Sequence, residues 1–167
     1  MVSDQASRHD ATLKKVGDWA ASNRSFREVA QRVVEHLRAT YPAYSWVGIY
    51  MIEGQSLHLW AWDGPAPTQH TEIPLHAGVC GWAASTGSIA NVPDVTKDDR
   101  YLQCFLHTRS EVVVPIKKGD QVFGEIDIDS DQPAAFSADD EAFLTRLCAI
   151  LADQAETENL ERHRLAG

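Results

Sequence analysis

Residues 110–130 read SEVVVPIKKGDQVFGEIDIDS. This segment contains two apolar runs rich in β-branched residues, 112–116 and 122–128, and a polar turn with a glycine, 117–120, lies between them. Two such runs joined by a short glycine-containing turn are typical of a β-hairpin. The segment therefore predicts two neighbouring antiparallel strands, and its acidic residues indicate where to look for a functional site.

The second strand of this hairpin is predicted to have one apolar and one acidic face, because strand side chains alternate with a period of two. The apolar face carries Val122, Gly124, Ile126 and Ile128, and the other face carries Phe123, Glu125, Asp127 and Asp129. Glu111 begins the partner strand, so acids gather on one face of the hairpin. Two interpretations remain open. The acids form the solvated face of a one-sided sheet, or they line a pocket that holds a cationic group or polarises an oxygen.

Composition and charge limit the class of protein. The chain has 167 residues, of which 44% are hydrophobic and 23% charged, and these values fit one globular domain. A formal net charge of -9 argues against nucleic acid or an anionic membrane as a partner, because both require a basic surface. No apolar run approaches the roughly 20 residues of a membrane span, and the N-terminus lacks an apolar signal core. We therefore expect a cytoplasmic protein without a membrane partner.

The chain contains three cysteines, Cys80, Cys104 and Cys148, too few and too odd in number for the disulfide framework of a secreted protein. In a reducing compartment they are buried side chains, metal ligands or redox-active thiols. The lack of a CxxC pair and the scattered histidines lead us to expect no metal site. Cys148 falls on the apolar face of the predicted C-terminal helix and is expected in the core.

The rest of the chain predicts helices and strands around the hairpin. Ser25 and Glu28 form a capping box before an amphipathic helix, and Ser137 caps a long C-terminal helix. The remaining predicted elements are a weak helix at 10–23, strands at 46–53, 55–62, 71–75 and 88–92, a short helix at 82–85, and an irregular segment at 94–109. A long irregular segment inside a small domain is often functional.

Four motifs occur in series, GVCGWAASTG, NVPDV, SEVVVPI and GEIDIDS. With the order of the elements, they make the chain from about 26 to 151 resemble a GAF domain, and more narrowly the free methionine-(R)-sulfoxide reductases, which are single GAF domains. The resemblance implies an α+β fold with a central antiparallel sheet of about six strands, flanked by N-terminal helices and a long C-terminal helix. It also implies one GAF domain over 1–167, with its core at about 25–155, an N-terminal helix in 1–24 and a charged C-terminal extension at 156–167.

The family reduces the R-sulfoxide of free methionine, so the resemblance implies this reaction and a small zwitterion as the ligand. The family's catalytic cysteine lies in the loop before the SEVVVP strand, where this chain has Cys104. Cys80 matches the cysteine of the family's GVCG motif. Family members commonly carry another cysteine ten residues earlier, which pairs with the catalytic one, but this chain has His70 there. We expect His70 in a surface loop, and the usual resolving thiol is missing from its position.

The family's pocket residues also have counterparts in this chain. Its carboxylates fall on Glu111, Asp127 and Asp129, and its aromatic wall falls on Trp46, with Tyr50 on the same strand. Positions 46 and 50 share a face if that strand is regular. The resemblance therefore implies that these five residues bind the substrate, and that the three acids also take part in catalysis with the two matched cysteines.

Sulfoxide reduction by a thiol requires a thiolate that attacks sulfur, a group that protonates or polarises the oxygen, and a way to reduce the resulting sulfenic acid. Cys104 would be the nucleophile. The acid cluster would keep a proton available near neutrality, because mutual repulsion raises at least one pKa. Cys80 is the one intramolecular candidate for reducing the sulfenic acid, provided that the two Cα atoms lie within about 7 Å. No cofactor is expected beyond an external reductant such as thioredoxin or a small thiol.

A second function stays open, because GAF domains also serve as sensors of small ligands. A non-catalytic module that binds an amino acid without turnover would explain His70 at the position of the missing cysteine. The acids and Cys104 favour the enzyme. GAF domains often pair through their terminal helices, so the resemblance also implies a homodimer.

Overall fold

The structure of the protein, a computed structural model, describes residues 3–103 and 105–166. Its elements follow one another in the order that the sequence predicts. They are α1 (Asp4–Ala20), α2 (Phe26–Thr40), β1 (Trp46–Glu53), β2 (Ser56–Asp63), β3 (Glu72–Pro74), α3 (Gly78–Thr86), β4 (Ala90–Val92), a 3-10 turn (Val95–Lys97), β5 (Ser110–Lys118), β6 (Gln121–Ser130) and α4 (Ala138–Ala166). Within the described ranges, every helix is too short or too polar to cross a membrane.

The strands form one antiparallel sheet of six strands in the order β3-β2-β1-β6-β5-β4, which confirms the predicted fold class. The predicted hairpin consists of β5 and β6, and β1 pairs with the other edge of β6. In this register Asp129 lies between Trp46 on β1 and Glu111 on β5. Directly paired residues share a face of the sheet. The register therefore brings aromatic and acidic side chains side by side.

The two faces of the sheet have different covers. One face packs against α2 and α4, with α1 packed against those two helices, and the other face packs against α3. Ile126 and Ile128 belong to the larger core on the first side. Trp46, Tyr50 and Val113 belong to a smaller core on the α3 side. Alternation along β6 therefore directs its acids toward α3.

Capping residues fix the starts of two helices as the sequence predicts. Ser25 Oγ accepts a hydrogen bond from the Glu28 backbone N–H at 3.2 Å, and the Ser25 N–H donates to Glu28 Oε2 at 2.7 Å. Ser137 and Asp140 make the same reciprocal pair at the start of α4, at 3.2 Å and 2.9 Å. Each pair provides partners for backbone N–H groups that have none within the helix.

The alternation predicted for β6 holds from Glu125 onward but not before it. Phe123 packs in the core on the α2 and α4 side, and the Val122 side chain lies near the C-terminal end of α3. The cause is a shift in the pairing of β5 with β6 at positions 116/117. An irregularity of this kind exchanges the faces on its two sides. The predicted faces of Phe123 and Val122 are therefore wrong.

Helix α3 begins at Gly78, four residues before the predicted start at position 82. Its Gly81 lies against the preceding loop, where a Cβ would come within 2.8 Å of the Pro74 carbonyl oxygen. This close approach explains why glycine occurs here despite its low helix propensity. The earlier start places Cys80 inside the helix. At the end of the chain, α4 continues to Ala166, so the charged extension is helical.

Candidate active site

The acids predicted from the hairpin lie in the protein interior, on the side of the sheet that α3 covers. Glu111, Asp127 and Asp129 are 4%, 2% and 1% exposed. Glu111 pairs with Asp129 across β5 and β6, and Asp127 shares their face two residues earlier on β6. The structure therefore excludes the solvated-face interpretation and brings the three carboxyl groups together.

Trp46 forms a wall beside these acids, since it pairs with Asp129 across β1 and β6. Its indole lies over two glycines, because a Cβ at Gly48 or Gly64 would overlap ring atoms. The residue is 2% exposed, and its Nε1 has no hydrogen-bond partner among the described residues. Phe105 packs against it with a ring-centroid distance of 5.9 Å. The WxG spacing of β1 therefore leaves the space in which the indole lies flat along the sheet.

Replacing Gly48 with alanine is expected to displace the Trp46 indole, because the new methyl group would occupy the space of the ring. We expect the free energy of unfolding to fall by about 1–3 kcal/mol, with a changed tryptophan emission spectrum. Gly17→Ala is the matched control, since nothing lies within 4 Å of its Cβ position in α1 and it should stabilise by about 0.5–1 kcal/mol. Denaturant unfolding followed by fluorescence tests both variants. Unchanged stability of Gly48→Ala would contradict this packing.

Tyr50, the second predicted aromatic residue, is fully buried on the same side as Trp46. Its hydroxyl donates a hydrogen bond to the backbone carbonyl oxygen of His70 at 2.7 Å. The His70 side chain is half-buried, and its Nε2 lies 3.2 Å from the carbonyl oxygen of Gln103. His70 lies in a partly exposed loop, as expected, but this loop also borders the site. Tyr50 holds the His70 segment at the edge of the pocket.

Cys80 faces the acids from α3. The residue is 6% exposed, is a free thiol, and donates a hydrogen bond to Asp127 Oδ2 at 3.4 Å. Its Sγ and the nearest carboxyl oxygens of Glu111 and Asp127 all lie within 4.8 Å of one another, a spacing at which they could share one cation such as an ammonium group. Burial raises the pKa of the thiol well above its usual range, and the surrounding carboxyl groups raise it further. At neutral pH Cys80 is therefore a protonated thiol.

Cys104, the predicted nucleophile, lies outside the described residues, so its predicted proximity to Cys80 stays a prediction. Described residues of the same irregular segment reach the pocket. Leu102 lines a cavity together with Cys80, and the Phe105 ring packs against Trp46. The segment predicted to be functional from its irregular sequence therefore borders the site.

Glu125 is a fourth buried acid, which the family resemblance does not assign to the site. It is 0% exposed, pairs with Tyr50 across β1 and β6, and has no hydrogen-bond partner for either carboxyl oxygen among the described residues. Glu125 raises the pKa of the Cys80 thiol, and Cys80 in turn offsets part of the increase in the pKa of Glu125. The sequence signal for it is its spacing, since Glu125, Asp127 and Asp129 occupy alternate positions of one strand.

Burial raises the pKa of all three acids of β6, because moving a carboxylate from water to the interior costs free energy. The pKa values of Glu125 and Asp129 lie well above their usual range, and the charge of Asp127 contributes to both increases. Contacts with Glu111 and Cys80 offset part of the increase for Asp127. The site therefore holds protons at neutral pH, which suits the protonation of an oxygen atom.

Asp129→Asn is expected to stabilise the protein by an amount that grows as pH rises. The folded-state pKa of Asp129 is raised above the unfolded value of about 4. The native state therefore binds the Asp129 proton more tightly than the unfolded state does. Wild type loses this stabilisation as pH rises through the interval between the two pKa values. Urea unfolding over a range of pH measures the difference from wild type. Asp120→Asn, on the exposed hairpin turn, controls for the change in net charge. A difference independent of pH would contradict the prediction.

Two cavities border the acids. The smaller has a volume of about 10 Å³, room for about one water molecule. It is lined by polar residues of the site and by apolar neighbours, among them His70, Cys80, Glu111, Asp127 and Leu102. The larger has a volume of about 400 Å³ and lies beside Trp46 and Asp129. The site is therefore roomy at its Trp46 end and filled at its Asp127 end.

Comparisons with known proteins agree with this fold. The sequence model of the GAF domain family matches residues 25–155. The free methionine-R-sulfoxide reductase of Escherichia coli (strain K12) is 30% identical over 118 residues, which cover 71% of this chain and 70% of that protein. The match therefore covers more than two thirds of each protein.

Two solved structures are similar over most of the chain. The type II free methionine-R-sulfoxide reductase from Thermoplasma acidophilum is 38% identical, with a TM-score of 0.75 over 85% of this chain and 96% of its own. The free methionine-R-sulfoxide reductase from Neisseria meningitidis, in complex with its substrate, is 28% identical, with a TM-score of 0.87 over 96% of both chains. Both structures therefore share the fold of this chain over at least 85% of its length.

Proposed function

The chain belongs to the GAF domain family, and from this premise we propose that it reduces free methionine-(R)-sulfoxide to methionine with electrons from a thiol. One observation carries the proposal. Glu111, Asp127 and Asp129 are buried together beside Trp46, in a chain that is similar over most of its length to free methionine-R-sulfoxide reductases. A buried group of protonated acids suits a reaction in which an oxygen atom must gain a proton.

Asp129 is the residue that we propose to bind the substrate ammonium group, with Glu111 beside it. Neither carboxyl oxygen of Asp129 has a hydrogen-bond partner among the described residues, and Asp129 lines the larger cavity together with Trp46. A cation beside Asp129 would favour its ionised form and offset the cost of burial. The Trp46 indole would contact the S-methyl group, because sulfur–aromatic contacts are modestly favourable. Tyr50 would support this wall through its bond to the His70 segment.

Cys104 is the proposed nucleophile, and Asp127 the proposed proton donor. Asp127 Oδ1 has no hydrogen-bond partner among the described residues, so it is available to a ligand oxygen. The Cys104 thiolate attacks the sulfoxide sulfur while Asp127 gives a proton to the oxygen. The S–O bond to methionine then breaks and the hydroxyl group passes to the cysteine sulfur. Thiolate, sulfoxide and one proton thus become methionine and a sulfenic acid.

An external reductant completes the proposed cycle. Two thiol groups, from thioredoxin or a small thiol, reduce the sulfenic acid to the Cys104 thiol and leave as a disulfide and water. Attack by Cys80 would require its thiolate, and burial among carboxyl groups disfavours that form. With His70 in place of the family's third cysteine, the external route is the simpler one.

Binding at Asp127 requires Leu102 to be displaced. The 10 Å³ cavity between them is smaller than methionine sulfoxide, and Leu102 belongs to the irregular segment that precedes β5. Leu102 is 37% exposed, so its displacement uncovers little buried apolar surface. We propose that the substrate takes the place of this side chain.

A ligand sensor is the alternative function, and His70 is the observation that favours it, because a module without turnover needs no resolving cysteine. Similarity to reductases, one of them solved with its substrate, favours the enzyme. Turnover in the presence of dithiothreitol separates the two functions, because this thiol reduces a sulfenic acid without any protein partner.

The test is to incubate the purified protein with dithiothreitol and each epimer of free methionine sulfoxide, and to measure methionine by chromatography. We expect consumption of the R epimer alone. Binding of the R epimer without any methionine formed would reject the enzyme and leave the sensor. Activity with dithiothreitol but not with thioredoxin would show that His70 has altered the recycling step and leave the proposed reaction intact.

A cytoplasmic location and a homodimer are further proposals, and both rest on the sequence. A reducing compartment is where a free-thiol reductase with an odd number of cysteines would remain active. Pairing through the terminal helices would give a mass in solution of twice 18.5 kDa, which multi-angle light scattering measures. A monomer at micromolar concentration would reject the homodimer.

A further inference from the structure

A group of side chains that can ligate a metal ion lies at the filled end of the site, between α3 and the sheet. Cys80 Sγ and the nearest carboxyl oxygens of Glu111 and Asp127 all lie within 4.8 Å of one another, and the three residues are buried. They come from α3, β5 and β6, so no short motif joins them and the sequence predicts no metal site. The packing of α3 onto the sheet brings them together.

The distance between the thiol and Asp127 fits a tetrahedral zinc site. Cys80 Sγ lies 3.4 Å from Asp127 Oδ2. Zinc–sulfur and zinc–oxygen bonds of about 2.3 Å and 2.0 Å at the tetrahedral angle place the sulfur about 3.5 Å from the oxygen. One ion can therefore bond to both atoms without a change in their separation. The Glu111 oxygen, which lies within 4.8 Å of both, comes into range by rotation of its side chain.

A small cavity and a buried oxygen without a partner mark the position of the ion. The cavity has a volume of about 10 Å³, and Cys80, Glu111, Asp127 and His70 are among the residues that line it. Asp127 is 2% exposed, and its Oδ1 has no hydrogen-bond partner in the described part of the chain. A buried polar atom without a partner costs free energy. Coordination of a cation by this carboxylate would offset that cost.

His70 is in a position to supply a fourth ligand. Its Nε2 lies 3.2 Å from the carbonyl oxygen of Gln103. A carbonyl oxygen only accepts, so Nε2 carries the ring proton and Nδ1 keeps the lone pair that a metal requires. Histidines that ligate a metal commonly donate their other ring N–H to such an oxygen. His70 lines the cavity but lies outside the group within 4.8 Å, so its ring approaches the ion on binding.

We propose that Cys80, Glu111, Asp127 and His70 bind one Zn²⁺ ion. The donor atoms select the metal, because zinc accepts sulfur, nitrogen and oxygen in one tetrahedral site, whereas Mg²⁺ and Ca²⁺ take oxygen ligands in larger numbers. Binding is a ligand exchange without any change of oxidation state. Zinc loses water molecules, and the thiol and carboxyl protons pass to the solvent as these groups take their charged forms.

A zinc ion at this site inhibits the proposed reaction, and this consequence alone rests on the proposed function. The ion holds the carboxylate of Asp127, the proposed proton donor, and fills the cavity beside it. Asp129 is not a member of the group, so the roomy end of the site stays accessible. The inhibition is reversible, because a chelator that removes zinc restores the free acid.

Binding is tested on the reduced protein in a buffer without small thiols, because these bind zinc themselves. Titration with Co²⁺, which substitutes for Zn²⁺ and absorbs in the near ultraviolet when a thiolate ligates it, reports the sulfur ligand. Calorimetry with Zn²⁺ gives the affinity and the stoichiometry. We expect one ion per chain, a cobalt–thiolate band that Zn²⁺ removes by displacing the cobalt, and no such binding of Mg²⁺. Absence of the thiolate band would overturn the proposal.

Substitutions identify the ligands. Cys80→Ser and Asp127→Asn should each lower the affinity for Zn²⁺ on the order of 10²-fold or more, and His70→Ala about tenfold or more. Cys148→Ser and Asp129→Asn are the matched controls and should keep the affinity of wild type. Asp127→Asn keeps the test decisive if Cys80→Ser does not fold. Wild-type affinity in folded Cys80→Ser or Asp127→Asn would overturn the site, and wild-type affinity in His70→Ala would overturn the set of four ligands.

Cys104→Ser separates the zinc site from the proposed nucleophile. This variant should keep the thiolate band, and loss of the band would overturn the assignment of Cys80 as the sulfur ligand. Inhibition is measured on wild type as methionine formed in a single turnover without reductant. We expect one equivalent of Zn²⁺ to abolish it and a chelator to restore it. Full turnover by the zinc-loaded protein would overturn the inhibition. A metal-free protein that forms no methionine would instead reject the proposed function, so the two failures are distinct.

Discussion

Cys104→Ser is expected to abolish methionine formation, with a loss of kcat on the order of 10⁴-fold or more. A serine hydroxyl at neutral pH is almost entirely protonated and is a far weaker nucleophile toward sulfur than a thiolate. The measurement is methionine formed from the R-sulfoxide with dithiothreitol as the reductant. Binding should persist, because the acids and Trp46 remain in place, and the quenching of tryptophan emission by the substrate measures it.

Cys148→Ser is the matched control for this loss. Cys148 is a buried free thiol that packs in the larger core on α4, on the other side of the sheet from the acids. We expect this variant to lose stability, because a hydroxyl replaces sulfur in an apolar site, and to keep its kcat. Turnover by Cys104→Ser, or loss of turnover by Cys148→Ser in folded protein, would show that the nucleophile has been assigned wrongly.

Asp127→Asn is expected to lower kcat by about 10²- to 10⁴-fold, the usual contribution of a general acid. An amide can donate a hydrogen bond to the sulfoxide oxygen but cannot transfer a proton to it. KM should change far less, since Asp129 and Trp46, which line the larger cavity, are the residues proposed to bind the substrate. Steady-state kinetics with the R-sulfoxide over a range of pH give both constants, and the limb that belongs to Asp127 should disappear.

Asp129→Asn is the comparison that assigns the two acids different roles. It removes the negative charge proposed to hold the ammonium group, so we expect a large increase in KM with a smaller effect on kcat. Equal effects of the two substitutions on both constants would contradict the division of tasks. Both variants should be at least as stable as wild type at neutral pH, because each removes a buried acid whose pKa is raised.

The sequence contains most of the information that defines the fold. Local signals, namely periodicity, turn residues and side-chain caps, predict the hairpin of β5 and β6, the capping box at Ser25, the cap at Ser137 and the order of elements. The faces of Phe123 and Val122 do not, because the pairing shift at 116/117 depends on the partner strand. The early start of α3 depends in the same way on the loop that Gly81 contacts.

In the candidate site, too, some features follow from local sequence signals and others depend on tertiary contacts. Periodicity alone places Asp127 and Asp129 on one face of a strand, and the resemblance to the reductase family implies that Trp46 and Glu111 lie with them. Neither signal predicts whether that face is exposed to solvent or buried, because burial depends on which element covers the face. Helix α3 covers it, and this contact makes the acids a pocket with raised pKa values.

What the sequence determined by itself is therefore the set of local features: strands, caps, the alternation of acids and the spacing of Trp46 before a glycine. Only the tertiary structure decided that Cys80 donates to Asp127, that His70 borders the pocket and that Glu125 is buried. The physical reason is that hydrogen bonding, desolvation and charge interaction depend on distance in space, and these residues come together only when α3 and the His70 segment pack onto the sheet.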